Sequence, residues 1–344
     1  MICIDGSTGE GGGQVLRSSL SLAAITGEEV RFDRLRAGRK NPGLAAQHLT
    51  SVKAAAAICQ AEVRGDRLGS TWLEFIPGGS VRSGNYAFDV GTAGAVSLIL
   101  QTILLPLALT AGDSTIILRG GTWVIFSPCF SYIEQVYLPI LARMGVKAEV
   151  ILRAWGWYPR GGGELELRVK GGQVLQGINL LEKGKFHQVK GLALVTELPA
   201  HIPNRMAHRS ENILREANLR CLVKPVREKG IAPGAGIFLM AEYEHCLAGF
   251  SALGKLGLPG DKVAEMACNE LLDFHQNTAP VDVHLADQLL LPAALALSES
   301  KYKVAEVSLH LTTNAWVIAQ FGIAAISINE NEGLVSVVPN HGKS

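Results

Sequence analysis

Val307, Leu309 and Leu311 alternate with Ser308, His310 and Thr312, the period of two that a half-buried strand imposes. Thr312, Thr313 and Asn314 then precede an apolar run that stops at Gly322. That pattern predicts a helix capped by one of the three polar residues and closed by the glycine. A strand ending where a helix begins puts His310 on the strand's polar face, one or two residues before free helix N–H groups that attract anions. Taken alone, such a histidine is more often hydrogen-bonded beneath a loop than catalytic.

The same grammar recurs upstream. Met1 to Ile4 reads as a strand, Asp5 to Gln14 as a glycine-rich turn, and Val15 to Ile25 as a helix closed by Gly27. Phe88 to Val90 is a second short strand, followed by the turn Gly91 to Gly94 and an apolar helix from Ala95 to Leu109. A third copy runs from the strand Val281 to Val283, through His284, into a helix from Leu285 to Leu297. Strands return after the second and third helices, at Ser114 to Leu118 and Lys303 to His310. A short strand, a turn of small or polar residues and a long apolar helix, repeated three times, predict an α/β architecture built from copies of one unit. The first turn could cradle an anion on its backbone N–H groups. It is neither a Walker A loop nor G-x-G-x-x-G, and a tight strand-to-helix connection explains the same glycines equally well.

Two further glycine clusters, Gly120-Gly121-Thr122 and Tyr158-Pro-Arg-Gly-Gly-Gly163, lie between the second and third copies, the latter before an alternating strand from Glu164 to Val169. After Gly184 the charge density rises. Here Gly191 to Glu197 and Gly236 to Tyr243 read as strands, Arg205 to Asn218 as a charged helix and Lys262 to His275 as an amphipathic one. The expected organisation is therefore a large repeat domain, residues 1–184 and 281–344, interrupted by a small α/β domain, residues 185–280.

Composition narrows the chemistry. Hydrophobic residues make up 48% and charged residues 18% of 344 positions, which fits a packed globular protein. A formal net charge of +1 argues against a generally basic nucleic-acid coat, so any nucleic-acid contact must be local. The six cysteines form no C-x-x-C pair and no zinc spacing and read as buried small hydrophobes of a reducing compartment. The apolar stretch from Ala95 to Leu109 is too short to span a bilayer. A soluble, cytoplasmic protein without membrane contact is expected.

Polar residues then mark candidate sites. Arg31, Arg34, Arg36, Arg39 and Lys40 cluster before Asn41-Pro42-Gly43 and a helix opened by Gln47 and His48. Such a run is usually a solvated face, yet arginines beside a turn and a helix start also suit phosphate oxygens. Gln101 and the pair Asp287-Gln288 interrupt otherwise apolar helices, as surface or cap positions also would.

Taken in order, these segments resemble the RNA 3′-terminal phosphate cyclase family over nearly the whole chain. The motifs are Asp5-Gly-Ser-Thr-Gly-Glu-Gly-Gly-Gly-Gln-Val-Leu-Arg17, Arg36-Ala-Gly-Arg39 with Pro42-Gly-Leu and Gln47-His48-Leu49, and Gly91-Thr-Ala-Gly94 with Leu100-Gln101. Further on come Gly120-Gly-Thr122, Tyr158-Pro-Arg-Gly-Gly-Gly163, Leu285-Ala-Asp-Gln288 and His310-Leu-Thr-Thr-Asn314. The resemblance implies a large α/β (α+β) domain of three repeated βαβαββ-like units, similar to enolpyruvyl transferases and to the C-terminal fold of initiation factor three, plus a smaller inserted α/β domain.

It also implies a reaction. ATP activates an RNA 3′-phosphate, which closes to a 2′,3′-cyclic phosphodiester through a protein–histidine–AMP and then an RNA-(3′)pp(5′)A intermediate. His310 matches the nucleophile. Gln101, His284, Leu285, Ala286, Asp287 and Gln288 match the ATP site; Arg17, Arg36, Arg39, Gln47 and His48 match the substrate-binding positions; Glu10 matches a ligand of divalent metal, Mg2+ or Mn2+. RNA 3′-phosphate ends, and DNA ends as a further substrate, are the expected partners. Four residues depart from the family's pattern: Trp123, Ser131, Trp155 and His284. Rival readings are a non-catalytic ribosome-assembly or RNA-processing paralog, an enolpyruvyl-type transferase and a broader polynucleotide-end adenylyltransferase. His310 in its full motif speaks against the first two.

Overall fold

A computed structural model describes residues 1–340 of the chain. The first unit comprises β1 (Ile2–Asp5), α1 (Gly13–Thr26), β2 (Val30–Asp33), α2 (Ala46–Cys59), β3 (Glu62–Arg64) and β4 (Leu73–Ile76). Its sheet runs β1-β2-β4-β3, with β1 and β2 parallel and the other pairings antiparallel. Gly27 closes α1 in the left-handed conformation at φ 74°, as its place after the last apolar residue predicts.

The second unit repeats this order with β5 (Asn85–Asp89), α3 (Val96–Leu109), β6 (Ser114–Gly120), α4 (Phe130–Tyr132), α5 (Leu138–Arg143), β7 (Ala148–Ala154) and β8 (Gly163–Val169). A π-helical turn, Ile133–Tyr137, joins α4 to α5. The sheet runs β5-β6-β8-β7, again with only the first pair parallel. Helix α3 is buried along nearly its whole length. It packs against both α1 and α2, which is why its sequence is apolar on every side. Each fully buried Leu or Ile there contributes about 1.5–3 kcal/mol.

A two-residue strand, β9 (Asn179–Leu180), then begins the third sheet. The chain leaves it to form β10 (Phe186–Thr196), α6 (His201–Glu216), β11 (Cys221–Glu228), β12 (Gly234–Tyr243), β13 (Leu247–Leu253) and α7 (Gly260–Gln276). These strands make a sheet of their own, β11-β10-β12-β13. One face is covered by α6 and α7, with a core that includes Val195, Met206, Ile237, Leu239 and Leu271. The other face, through Leu194, Phe238 and Met240, joins the main core.

The third unit resumes with α8 (Val283–Gln288), α9 (Leu290–Ala294), β14 (Ser300–Lys303), α10 (Leu309–Phe321), β15 (Ala324–Asn329) and β16 (Leu334–Pro339). Its sheet order, β15-β16-β14-β9, matches the other two when β9 stands in the first-strand position. The register makes the relation concrete. Lys301 and Tyr302 pair in parallel with Asn179 and Leu180, and Val304 pairs in parallel with Val281. Val281 thus continues the strand that β9 started, and the intervening chain is spliced into the first strand of the third unit. The three-copy α/β fold expected from the sequence is the one observed.

Several local expectations change. His310 lies in the first turn of α10, capped by Ser308, whose Oγ accepts from Leu311 N at 3.2 Å. The expected strand from Lys303 to His310 ends at Lys303. Six alternating residues cannot distinguish a strand from a loop entering a helix, and an N-cap serine decides it. Of the strand expected from Val281 to Val283, only Val281 pairs, as a single bridge to Val304. Asp282 caps α8, accepting from His284 N and Leu285 N. The single helix expected from Leu285 to Leu297 is two short ones, α8 and α9.

Candidate active site

Helix α1 packs against α10, which brings the glycine-rich turn before α1 to the N-terminal turn of α10. The contact is close because Gly9, at φ 62°, has no side chain: a Cβ there would collide with the Thr313 hydroxyl. Thr313 Oγ1 instead accepts from Glu10 N at 3.2 Å. Glu10 is thereby fixed beside His310, its Oε2 lying 3.3 Å from His310 Nε2. The Glu10 side chain is 8% exposed, whereas His310 is 54% exposed at the mouth of the site.

The other ring nitrogen is held from α1. His310 Nδ1 lies 2.8 Å from Gln14 Oε1, and Gln14 Nε2 donates to Asp287 Oδ2 at 2.5 Å. Because the Asp287 carboxylate accepts from the amide nitrogen, the amide oxygen faces the ring and Nδ1 carries the proton. Nε2 is left with its lone pair. Asp287 is positioned through its own carbonyl, which accepts from Asn314 Nδ2 at 2.7 Å. Burial pushes Asp287 up to about 7, against the lowering effects of Arg17 and Gln14. Burial also lowers His310, opposed by Glu10 and reinforced by Arg17, Arg39 and His284, so the imidazole is neutral near pH 7.

Cations close the site. Arg39 Nη2 pairs with Glu10 Oε2 at 2.6 Å. Arg36 donates to the carbonyls of Asn41 and Gly43 at 3.0 and 2.6 Å, and burial, then Arg39, lowers it. Burial takes Arg17 down to about 10, against Glu10 and Asp287. His48 is buried, and its Nδ1 accepts from Ala45 N at 3.2 Å. Desolvation together with Arg17, Arg36 and Arg39 drives it down to about 3. It is a neutral N–H donor through Nε2. Gly13 allows this approach, since a Cβ there would meet His48 Nε2 and Arg17 Nη1. Gln47 faces the second unit, its Oε1 accepting from Ala95 N at 3.0 Å.

The structure thus gathers Glu10, Arg17, Arg39, His48, Asp287 and His310, with Arg36 bordering His48. Gln101 and Gln288 lie deeper. They line a cavity of about 50 Å³ together with Gln14, Tyr137, Leu291 and Asn314. Gln101 Nε2, Gln288 Oε1 and Asn314 Oδ1 are buried there without partners. Leu285 and Ala286 are buried in the core, and His284 is exposed, edge-on to Tyr132 at 6.4 Å. Within the basic run, Arg31 and Arg34 belong elsewhere: they pair with Asp33 and Glu74, and with Asp5. Sequence reasoning missed Gln14 as the residue that orients His310. Its spacing of three from Arg17, on one face of a helix, was the available signal.

Among the described residues no three His, Cys, Asp or Glu side chains converge on a metal position. Glu10 offers a single carboxylate. That suits a small divalent ion held by one carboxylate and substrate phosphates, and does not suit an all-protein cage. Two of the four departures are structural. Trp123 and Trp155 pack with Trp157 and Phe130, and the inserted sheet seats Gly236 on Trp123 and Gly234 on Trp157. Ser131 is buried with an unpartnered hydroxyl.

Three copies of one unit around a histidine-centred, cation-rich site define a repeat-built α/β enzyme. Residues 8–328 match the profile of the family described as RTC, RNA 3′-terminal phosphate cyclase. The chain is 66% identical over 343 residues to the RNA 3′-terminal phosphate cyclase of Trichormus variabilis, covering 98% of this chain and 99% of that one. The protein of the same name from Methylococcus capsulatus is 51% identical, covering 99% and 97%. That from Archaeoglobus fulgidus is 41% identical, covering 93% and 95%. This chain belongs to the RNA 3′-terminal phosphate cyclase family. No helix among the described residues is long and apolar enough to cross a membrane.

Proposed function

We propose that this protein converts an RNA 3′-terminal phosphate to a 2′,3′-cyclic phosphodiester at the expense of ATP, with His310 carrying AMP between the two. The observation that carries this reading is the pair of contacts on one imidazole: Nδ1 on Gln14 Oε1, and Nε2 facing a Glu10 carboxylate that is itself paired with Arg39. A neutral ring with its lone pair on Nε2 is a competent nucleophile.

Nε2 attacks the α-phosphorus of ATP, the bond to the β-phosphate oxygen breaks, and pyrophosphate leaves. An oxygen of the RNA 3′-phosphate then attacks the same phosphorus and breaks the N–P bond, restoring His310 and giving RNA-(3′)pp(5′)A. Finally the neighbouring 2′-hydroxyl attacks the RNA phosphorus, surrenders its proton and expels AMP. Every step joins anions, so fixed cations offset the developing charge. Arg17 and Arg39 surround His310 and serve the phosphates. Arg36 and the His48 N–H serve the RNA end beside them, and Gln47 ties this group to the second unit. Asp287, through Gln14, holds the ring proton while Nε2 is in use. A divalent ion, Mg2+ or Mn2+, would be held by Glu10 and substrate phosphates, and would supply further charge neutralisation.

Gln101 and Gln288, in a space too small for a nucleotide, support the ATP site from below, and His284 stands exposed at its edge. A synthetic RNA bearing a 3′-phosphate, incubated with ATP, Mg2+ and the protein, tests the reading. The terminal phosphate becomes resistant to phosphatase if it is cyclised. An end that stays phosphatase-sensitive under Mg2+ and under Mn2+ contradicts it.

A further inference from the structure

A second, wider cleft of about 500 Å³ lies away from His310, between the second unit and the inserted sheet. Arg119, Arg153 and Arg160 line it with Thr92, Gly162 and Ile231, and the carboxylates of Asp89 and Glu164 also reach it. Much of its donor capacity is uncommitted. Arg119 uses Nε on Glu164 at 2.7 Å, leaving both terminal nitrogens. Arg153 uses Nε and Nη2 on one oxygen of Glu166, leaving Nη1. Arg160 is exposed and has no ion-pair partner among the described residues. The Asp89 carboxylate accepts from Gly91 N at 2.7 Å. The same turn as Arg160 carries Tyr158, 73% exposed, and Ile231 is 62% exposed on the facing loop.

The cleft is tied to the active site. A Cβ on Gly161 would strike Thr92 O and Ala93 Cα, so the 158–163 turn sits directly on the 91–94 loop. That loop ends at Gly94 against Gln47, and at Ala95 N, which donates to Gln47 Oε1. Thr92 and Ala95 are three residues apart, at most about 11 Å of chain. An arginine-lined groove with exposed aromatic and apolar side chains, one loop from the phosphate-binding residues, has the chemistry of a single-strand track.

The geometry points to this cleft as the binding site for the phosphodiester backbone of the RNA strand upstream of its 3′ end, an inference that rests on the function proposed above. Guanidinium contacts with backbone phosphates are indifferent to sequence and to the terminal group. Arg160 therefore adds affinity for the strand and takes no part in any of the three chemical steps.

The test measures binding of a fluorescent single-stranded RNA of twelve nucleotides, in 3′-phosphate and 3′-hydroxyl forms, to the wild type, Arg160→Ala and Arg160→Glu. Self-adenylation with labelled ATP runs in parallel. Arg160→Ala should weaken both RNAs by the same factor, about fivefold, and Arg160→Glu by more. The slope of log Kd against log salt should fall by about 0.7 in Arg160→Ala. Self-adenylation should be unchanged. Equal affinity and slope in wild type and both variants, with wild-type cyclisation intact, overturns the cleft assignment alone. Failure of the wild type to cyclise RNA ends overturns the proposed function, and the cleft assignment with it.

Discussion

Gln14 Oε1 accepts the Nδ1 proton of His310 at 2.8 Å, joining the first turn of α1 to the first turn of α10 across 296 residues of sequence. Asp287, on α8, orients the same amide from its other end at 2.5 Å. The first unit thus supplies Gln14, and the third supplies Asp287 and His310, to a short chain that sets the tautomer. Gln14→Leu should slow AMP attachment about a hundredfold and, by leaving the buried Asp287 carboxylate without its amide donor, also lower stability by about 1–3 kcal/mol. Single-turnover labelling measures it. A rate within a factor of two of wild type would show that the ring needs no such anchor.

Arg39 faces Glu10, and both face His310, so its removal acts twice. On the function proposed above the RNA end loses a clamp, and Glu10 loses the cation paired with it. Arg39→Ala should impair use of the RNA 3′-phosphate more than self-adenylation. The cation no longer lowers the histidine, so the acid limb of the adenylation pH profile should move to higher pH. Glu10, Arg17 and His284 remain around the ring, and Asp287 behind Gln14, so the limb shifts without disappearing. An equal loss in both steps would move Arg39 to the ATP site alone.

His48 links the site to stability. Its folded value, about 3, lies below the ordinary 6.5, so the unfolded chain binds the extra proton first as pH falls. Its contribution is complete above pH 6.5 and declines by about 1.4 kcal/mol per pH unit toward pH 3. His48→Asn should flatten the fall in urea midpoint between pH 7 and pH 5, compared with wild type. Parallel curves would mean that the imidazole is already solvated in the folded state.

The repeat was legible because its signal recurs: the first two strand–turn–helix copies are bounded by glycine and survive errors of a few residues at every edge. The third has no glycine from 281 to 300, and its elements differ from those expected. Gly27 and Gly322 close α1 and α10 where the pattern puts them. What failed were short segments in which one polar residue outweighs periodicity. Ser308 and Asp282 each cap a helix where alternation suggested a strand. The return of the chain at Val281 was expected as the start of a strand, but its continuity with β9 was not legible, because it depends on single pairings with β14 and Val304 that carry no pattern of their own. At the site, His310, Glu10, Arg17, Arg39, His48 and Asp287 were all named from motifs, and the structure brings them together. The motifs could not say which group touches which, since Gln14 and His310 meet only through the packing of α1 on α10. Nor could they separate Arg34, spent on Asp5, from Arg39, spent on Glu10.

Covalent labelling is the most direct measurement. The protein is incubated with ATP labelled at the α-phosphate and a divalent ion, and the bound label is tested for stability to alkali and loss in acid, the signature of an N–P bond. Label should form on the wild type and be absent from His310→Ala, whose exposed site makes a stability change of more than about 0.5 kcal/mol unexpected. Label that persists on a folded His310→Ala protein would place the nucleophile elsewhere and contradict the mechanism.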